Sequence, residues 1–240
     1  MNIVLNPVKP IDVRQINLSL DGNNVRFLWK TLKQLPDNTL VQDLLLIAIS
    51  FYAADKQVAR SGTSDQWERS LVFEVPVQNL ATWVANTAAL NRLLSFLTGD
   101  AVNISFTAIQ LNQSKASPKQ RRVCLLSGGL DSAIGAIDLL TDNTNKYAYS
   151  FLGHYDPHVS GPRKDQKAVF AILKAKFPNI EQHIFRCGLT KKGAETSFRS
   201  RSFLFLCAGL FLANNSDAPL FIPENGAIAL NYPQIGRAHV

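Results

Sequence analysis

Six consecutive residues, Ser127-Gly128-Gly129-Leu130-Asp131-Ser132, have the types and order that a phosphate-binding loop needs. Two adjacent glycines let a backbone turn sharply and approach a ligand without Cβ obstruction. Their N–H groups can converge on an anion, and a helix opening at that point adds its partial positive charge. Ser127 and Ser132 bring hydroxyl donors, while Asp131 can cap the helix or hold a Mg²⁺ that phosphates carry in. The chain contains neither G-x-x-x-x-G-K-[ST] nor G-x-G-x-x-G, which argues against a GTPase-like or nicotinamide-linked reading. A Gly-Gly turn between a strand and a helix also occurs for packing alone, so the surrounding elements decide how much the loop says.

Those elements alternate. "VCLLS" reads as a strand leading into the loop and "DSAIGAIDLLTDN" as the helix leaving it. "KYAYSFLGHYD", "IEQHIFRCG" and "PLFIPENG" read as further strands, separated by "DQKAVFAILKAKF" and "RSRSFLFLCAGLFLANN" as helices. Strands alternating with helices of this length predict an α/β fold, a parallel sheet with helices on both faces. Ligands of such sheets bind at the carboxyl ends of the strands, where the strand order reverses.

The first half differs in character. "INLSLDGNNVRFLWKTL" has alternating apolar residues on either side of Asp-Gly-Asn-Asn and predicts a hairpin. "VQDLLLIAISFYAADKQVAR" reads as a helix whose apolar run is too continuous for a clean amphipathic face. "RSLVFEVPVQN" is a strand, with Pro76 suggesting an edge or an end. "NLATWVANTAALNRLLSFLTGD" is a helix stopped at Gly99, and "AVNISFTAIQL" is a strand. The expected organisation is a smaller α+β domain over 1–111, a basic linker over 112–122 containing Pro118, and an α/β domain over 123–240. The linker charges read as a solvated connector, with Arg121 and Arg122 near a bound polyanion as the alternative.

Composition sets outer limits. The 240 residues are 46% hydrophobic and 18% charged, which fits a chain with a core and excludes a disordered one. The balance of 25 Lys+Arg against 18 Asp+Glu, a net +7, suits a handler of polyanions such as ATP or nucleic acid and equally serves solubility alone. Cys124, Cys187 and Cys207 are far apart and lie in or beside apolar runs, as core cysteines do, which favours a reducing compartment. The amino terminus lacks a basic segment followed by an apolar one, and the most apolar windows fall short of a membrane span, so a cytoplasmic location with no membrane partner is expected.

S-G-G-x-D-S in this setting resembles the PP-loop of the ATP pyrophosphatases, the group of NAD synthetase, asparagine synthetase and tRNA-modifying adenylating enzymes. "TSFRSRSFLFLCAGLFLA" followed by "PLFIPENGAIALNYP" resembles the 7-cyano-7-deazaguanine synthase-like (QueC-like) family, and in particular the QueC-like component of Qat anti-phage defence systems, which carries an extra N-terminal domain. The resemblance covers roughly residues 120–233. It implies a Rossmann-like sheet of the adenine nucleotide alpha hydrolase-like (HUP) type. It also implies a loop that grips the pyrophosphate of ATP while a substrate oxygen attacks the α-phosphorus, giving an adenylated substrate and pyrophosphate. Carried onto this chain, Leu126, Ser127, Gly128, Gly129, Leu130, Asp131 and Ser132 would bind ATP and its Mg²⁺. His154, at the end of the second strand, would lie by the adenosine. Asp131, Ser132, Arg199 and Arg201 would be catalytic, the arginines reaching the pyrophosphate or a substrate carboxylate. Glu224 and Asn225 would meet the substrate. Structural alternatives stay open: arginines flanking a helix for solubility, Asn225 capping a turn with Gly226, solvated Lys191 and Lys192. His154 and His158 have H-x₃-H spacing but sit in a loop with Pro157, so no metal site is expected there.

The implied function is that of a carbon–nitrogen ligase activating a carboxylate such as that of a 7-deazaguanine. A tRNA-modifying enzyme and a non-catalytic ATP-sensing subunit of a defence complex are the alternatives, so nucleic acid and defence proteins join ATP and a carboxylate substrate as expected partners. The chain departs from the family where the synthases bind zinc through a cysteine cluster near the carboxyl terminus; zinc would require such a cluster beyond residue 240. The chain is expected to be a fragment ending short of a C-terminal substrate-binding part. "IGRAHV", residues 235–240, is read as non-native, because ATC-GGA-AGA-GCA-CAC-GTC encodes it and matches a sequencing adaptor.

Overall fold

A computed structural model describes residues 4–5, 18–19, 25–31, 37–62, 67–110, 121–142, 147–159 and 161–224. Residues 112–120 of the expected linker over 112–122, Asn225 and residues 226–240 lie outside the described residues.

The fold is α/β, with a mostly parallel mixed sheet of five strands in the order β3-β8-β7-β6-β9. β6 (Arg122–Leu125), β7 (Tyr149–Tyr155), β8 (Ile180–Leu189) and β9 (Leu220–Phe221) run parallel, and β3 (Val25–Leu28) joins β8 antiparallel. From β6 the chain passes through α3 (Leu130–Asp142) to β7 and through α4 (Pro162–Lys176) to β8. It then crosses through α5 (Arg201–Asn215) to β9, on the other side of β6. The strand order therefore reverses at β6, and the loop leaving β6 lies at the crevice where such sheets bind ligands.

Side-chain alternation along β6 divides the core. Cys124 and Leu126 pack with Ala136 and Leu140 of α3 and Leu173 of α4. Val123 and Leu125 belong to the opposite face, with Leu204, Cys207 and Phe211 of α5. The second cluster continues into the first half of the chain, through α1 (Thr39–Gln57), β4 (Ser70–Val77), α2 (Leu80–Thr98) and β5 (Ala101–Ala108). β4 and β5 pair in parallel, joined by α2, which ends at Gly99. Thirteen of the nineteen α1 residues are buried, because α1 lies among β4, β8 and α5. Its unbroken apolar run reflects burial on nearly every side.

Among the described residues, the strands of the expected hairpin do not pair with each other. Leu18–Ser19 (β2) pairs with Val4–Leu5 (β1), while Val25–Leu28 pairs with Arg186–Leu189. Val25, Phe27 and Trp29 point into the core, where Trp29 stacks on Phe185 at 5.2 Å between ring centroids. The first half thus supplies the edge strand of the main sheet, and one apolar core runs across the sequence boundary. Among the described residues, no helix is long and apolar enough to cross a membrane.

Candidate nucleotide site and an adjoining cavity

The strand β6 delivers Leu126 into the core and then exposes the loop: Ser127, Gly129 and Leu130 lie at the surface, while Ser132 is buried at 4% exposure. Gly128 has φ +91°, a conformation that side-chain-bearing residues rarely adopt. The loop closes on itself through hydroxyls. Gly129 N donates to Ser127 Oγ at 3.3 Å, Ser127 Oγ to Ser132 Oγ at 3.1 Å, and Ser132 Oγ to Gly129 O at 2.9 Å. The helical ladder begins with Ala133 N donating to Gly129 O, so the amides of Leu130, Asp131 and Ser132 open α3 without intrahelical partners. Asp131 is half-buried, and among the described residues no hydrogen bond or ion pair engages its carboxylate. These are the donors and the acid that a triphosphate with its Mg²⁺ requires.

One side chain with no expected role holds this loop. Gln166 of α4 is fully buried and donates from Nε2 to Ser127 O at 3.2 Å and to His154 O at 2.8 Å. In the sequence it is one polar residue at the start of a helix, with no signal that it turns inward.

The two arginines differ. Arg199 donates to Thr98 O at 2.6 Å and lies over the Trp67 ring at 4.7 Å, so its guanidinium is spent on the first half of the chain. Arg201, half-buried at the start of α5, donates among the described residues from its Nε alone, to His154 Nδ1 at 3.4 Å. Its terminal nitrogens have no partner among the described residues, at the carboxyl edge of the sheet.

His154 is 0% exposed, between Tyr52 and Phe185, and its ring has no surface to offer a nucleotide. Nδ1 accepts from Arg201 and Nε2 lies 3.1 Å from Cys187 O, which places the proton on Nε2 of a neutral ring. Burial, then the Arg201 charge, lowers its pKa to about 4. His158 instead turns its Nε2 to Leu189 O at 3.0 Å. The H-x₃-H spacing therefore does not gather two rings on one ion. Among the described residues, no group of three or more His, Cys, Asp or Glu could hold a metal. The three cysteines are buried, and burial raises the thiols of Cys124 and Cys207 to about 12. Glu224 is exposed, just past β9; Asn225 lies outside the described residues.

The segment 195–200, which leads to Arg201, is anchored by buried charges of the first half. Arg60 donates to Ser197 Oγ at 2.9 Å and Asp100 Oδ2 at 2.6 Å, Arg69 reaches Asp55 and Asp100, and Ser200 donates to Asp55. Burial alone would raise the Glu195 carboxyl, but the amides of Ser197 and Arg60 donate to it and bring it down to about 2. Beside this anchor, at the ends of β7 and β8, lies a cavity of about 180 Å³ lined by Lys56, Asp156, Val159, Leu189, Glu195 and Phe198, among others. Lys192, expected to be solvated, is exposed and stands on its wall.

Compared with protein-family models, curated proteins and solved structures, the chain matches none.

Proposed function

We propose that the chain is an ATP-dependent adenylating enzyme of the QueC-like type, built on a Rossmann-like (HUP) sheet. In this reading it activates a carboxylate-bearing substrate, such as a 7-deazaguanine carboxylate, to its AMP ester with release of pyrophosphate. It works in the cytoplasm, in anti-phage defence, with protein partners of that system. The observation that carries the reading is the position of S-G-G-x-D-S: it leaves the strand where the sheet order reverses, with Gly128 at φ +91° and α3 opening at Leu130.

Each residue's part follows from its placement. The exposed turn at Gly128 and Gly129 and the opening amides of α3 bind phosphate oxygens. Ser127 and Ser132 can exchange their mutual hydrogen bond for bonds to the ligand. Asp131 is the residue that would hold Mg²⁺, which supplies charge neutralisation on the phosphates when bound. Arg201 turns its terminal nitrogens to the pyrophosphate or the substrate carboxylate, and guanidinium suits either. Catalysis then comes from fixed donors facing developing charge, with no protein nucleophile.

The test is pyrophosphate release from ATP by the full chain with a 7-deazaguanine carboxylate. Asp131→Asn should lower it by about 10–100-fold, as loss of a metal-supporting group does, with an unchanged melting temperature. Unchanged turnover in that variant refutes the loop assignment. A second reading, an ATP-sensing subunit without turnover, is favoured by the commitment of Arg199 to Thr98 and Trp67. ATP binding with no pyrophosphate release from any carboxylate would select it.

A further inference from the structure

The cavity beside β7 and β8 is built around a buried cation that forms no ion pair among the described residues. Lys56 is 7% exposed; its ammonium donates to Ser197 O at 3.0 Å and lies 4.2 Å from the centroid of the Phe198 ring. Both carboxylates of the cavity wall are engaged elsewhere. Asp156 accepts from Tyr52 OH and from His158 N, each at 2.8 Å. Glu195 accepts from the amides of Arg60 and Ser197 and lies within ion-pair range of the Arg60 and Arg69 guanidinium groups. Neither forms an ion pair with Lys56. Burial pushes the Lys56 ammonium below its ordinary pKa, Asp156, Asp55 and Glu195 push back, and Arg69 adds to the lowering. A charge held in this way is costly unless something pairs with it.

The remaining wall narrows what that something is. Val159, Leu189 and Phe198 are apolar, and Gly193 adds no side chain. Lys192, His158 and Thr196 also line it, but Lys192 is exposed and solvated and His158 spends its Nε2 on Leu189 O, so the buried charge of the wall is Lys56. An anion with one charged end and an apolar body satisfies both parts. We propose that the cavity binds a small organic carboxylate, its charge paired with Lys56 and its body held against Val159, Leu189 and Phe198. The assignment rests on the cavity and not on the adenylation reading, since none of residues 126–132 lines it. It also gives α1 of the first half a place in ligand binding.

The test is calorimetric titration of the full chain at neutral pH with benzoate, which has the charge and the body, and with benzamide, which lacks the charge. Benzoate is expected to bind saturably, at one site, and at least about tenfold more tightly than benzamide, the order expected when a desolvated charge pair loses a partner. Lys56→Met should lose that preference. Asp131→Asn should keep benzoate binding, which separates this site from the phosphate loop. Absence of saturable benzoate binding, equal affinity for benzamide, or wild-type affinity in a folded Lys56→Met protein overturns the proposal. Should Lys56→Met fail to fold, Thr196→Trp fills the cavity from an exposed position on its wall. Benzoate affinity unchanged in that variant overturns the proposal equally.

Discussion

Gln166 ties two strands together through Ser127: its Nε2 donates to the Ser127 carbonyl at 3.2 Å and to the His154 carbonyl at 2.8 Å. One amide from α4 thus fixes the first residue of the loop after β6 to the end of β7. The fit leaves no slack. A Cβ on Gly153 would stand 2.4 Å from Gln166 Oε1, and a Cβ on Gly128 would stand 3.0 Å from Gln166 N. The loop's geometry is set from behind, by a neighbouring helix.

Replacing Gln166 by Leu should therefore leave two carbonyls unpaired, each costing about 1–3 kcal/mol where it stays buried. Gln166→Glu should be worse at pH 7, because a carboxylate only accepts and would face two carbonyl oxygens. Acidification should narrow the gap, since a protonated Glu regains a donor. Denaturant melts of both variants at pH 7 and pH 5 read this out. A Glu variant as stable as wild type at pH 7 would show that the tie does not hold the loop.

Gly128→Ala adds a side chain at φ +91° and against Gln166. Strain of about 1–3 kcal/mol is expected, spread between a lower melting temperature and a displaced loop. ATP affinity should fall more than stability does, while Gly129→Ala, with 3.6 Å to its nearest neighbour, Ser127 Oγ, should cost less stability. Equal melting temperatures for the two variants would contradict the difference in backbone strain.

Which of these relationships show in the sequence follows from their range. The strand–loop–helix run from Val123 to Leu140 is local, and its alternation, glycines and periodicity all lie within about twenty residues. The pairing of Val25–Leu28 is not local. Alternation at Val25, Phe27 and Trp29 says that one face is buried, but the partner, Arg186–Leu189, lies some 160 residues away, so nearby turn formers point to the wrong strand. α1 reads as a helix of unclear face because it has hardly any solvated one. Arg201 and Arg199 look equivalent in "FRSR"; only Trp67 and Thr98, more than a hundred residues earlier, separate them. Lys56 and Gln166 look like ordinary polar positions on helices until the cavity and the loop are in place.

The buried charge network makes the same point with a measurable consequence. Arg69 is 2% exposed and bridges Asp55 and Asp100, which are 0% and 2% exposed. Arg69→Met should cost about 3–5 kcal/mol in chemical denaturation, because it strands buried carboxylates. Asp100→Asn in the same background should recover part of the loss by removing one of them. Additive losses in the double variant would mean that the two side chains do not act as a pair.

Acid stability should carry the signature of His154. Its folded pKa, about 4, lies below its ordinary 6.5, so between those values the unfolded chain binds a proton that the native ring refuses. Stability then rises with pH across this window, and the contribution present above pH 6.5 is lost as pH falls towards 4. The full shift corresponds to about 3 kcal/mol. Glu195, held at about 2 against an ordinary 4.5, loses its contribution in a lower window, between pH 4.5 and 2. The two are separable by substitution. His154→Gln, although destabilising at every pH through lost packing against Tyr52 and Phe185, should flatten the slope of unfolding free energy between pH 6.5 and 4.5. Glu195→Gln should leave that upper slope intact and flatten the lower one. An unchanged slope above pH 4.5 in the His154 variant would mean that the ring takes up its proton in the native fold, and that its burial beneath Arg201 is not what keeps it neutral.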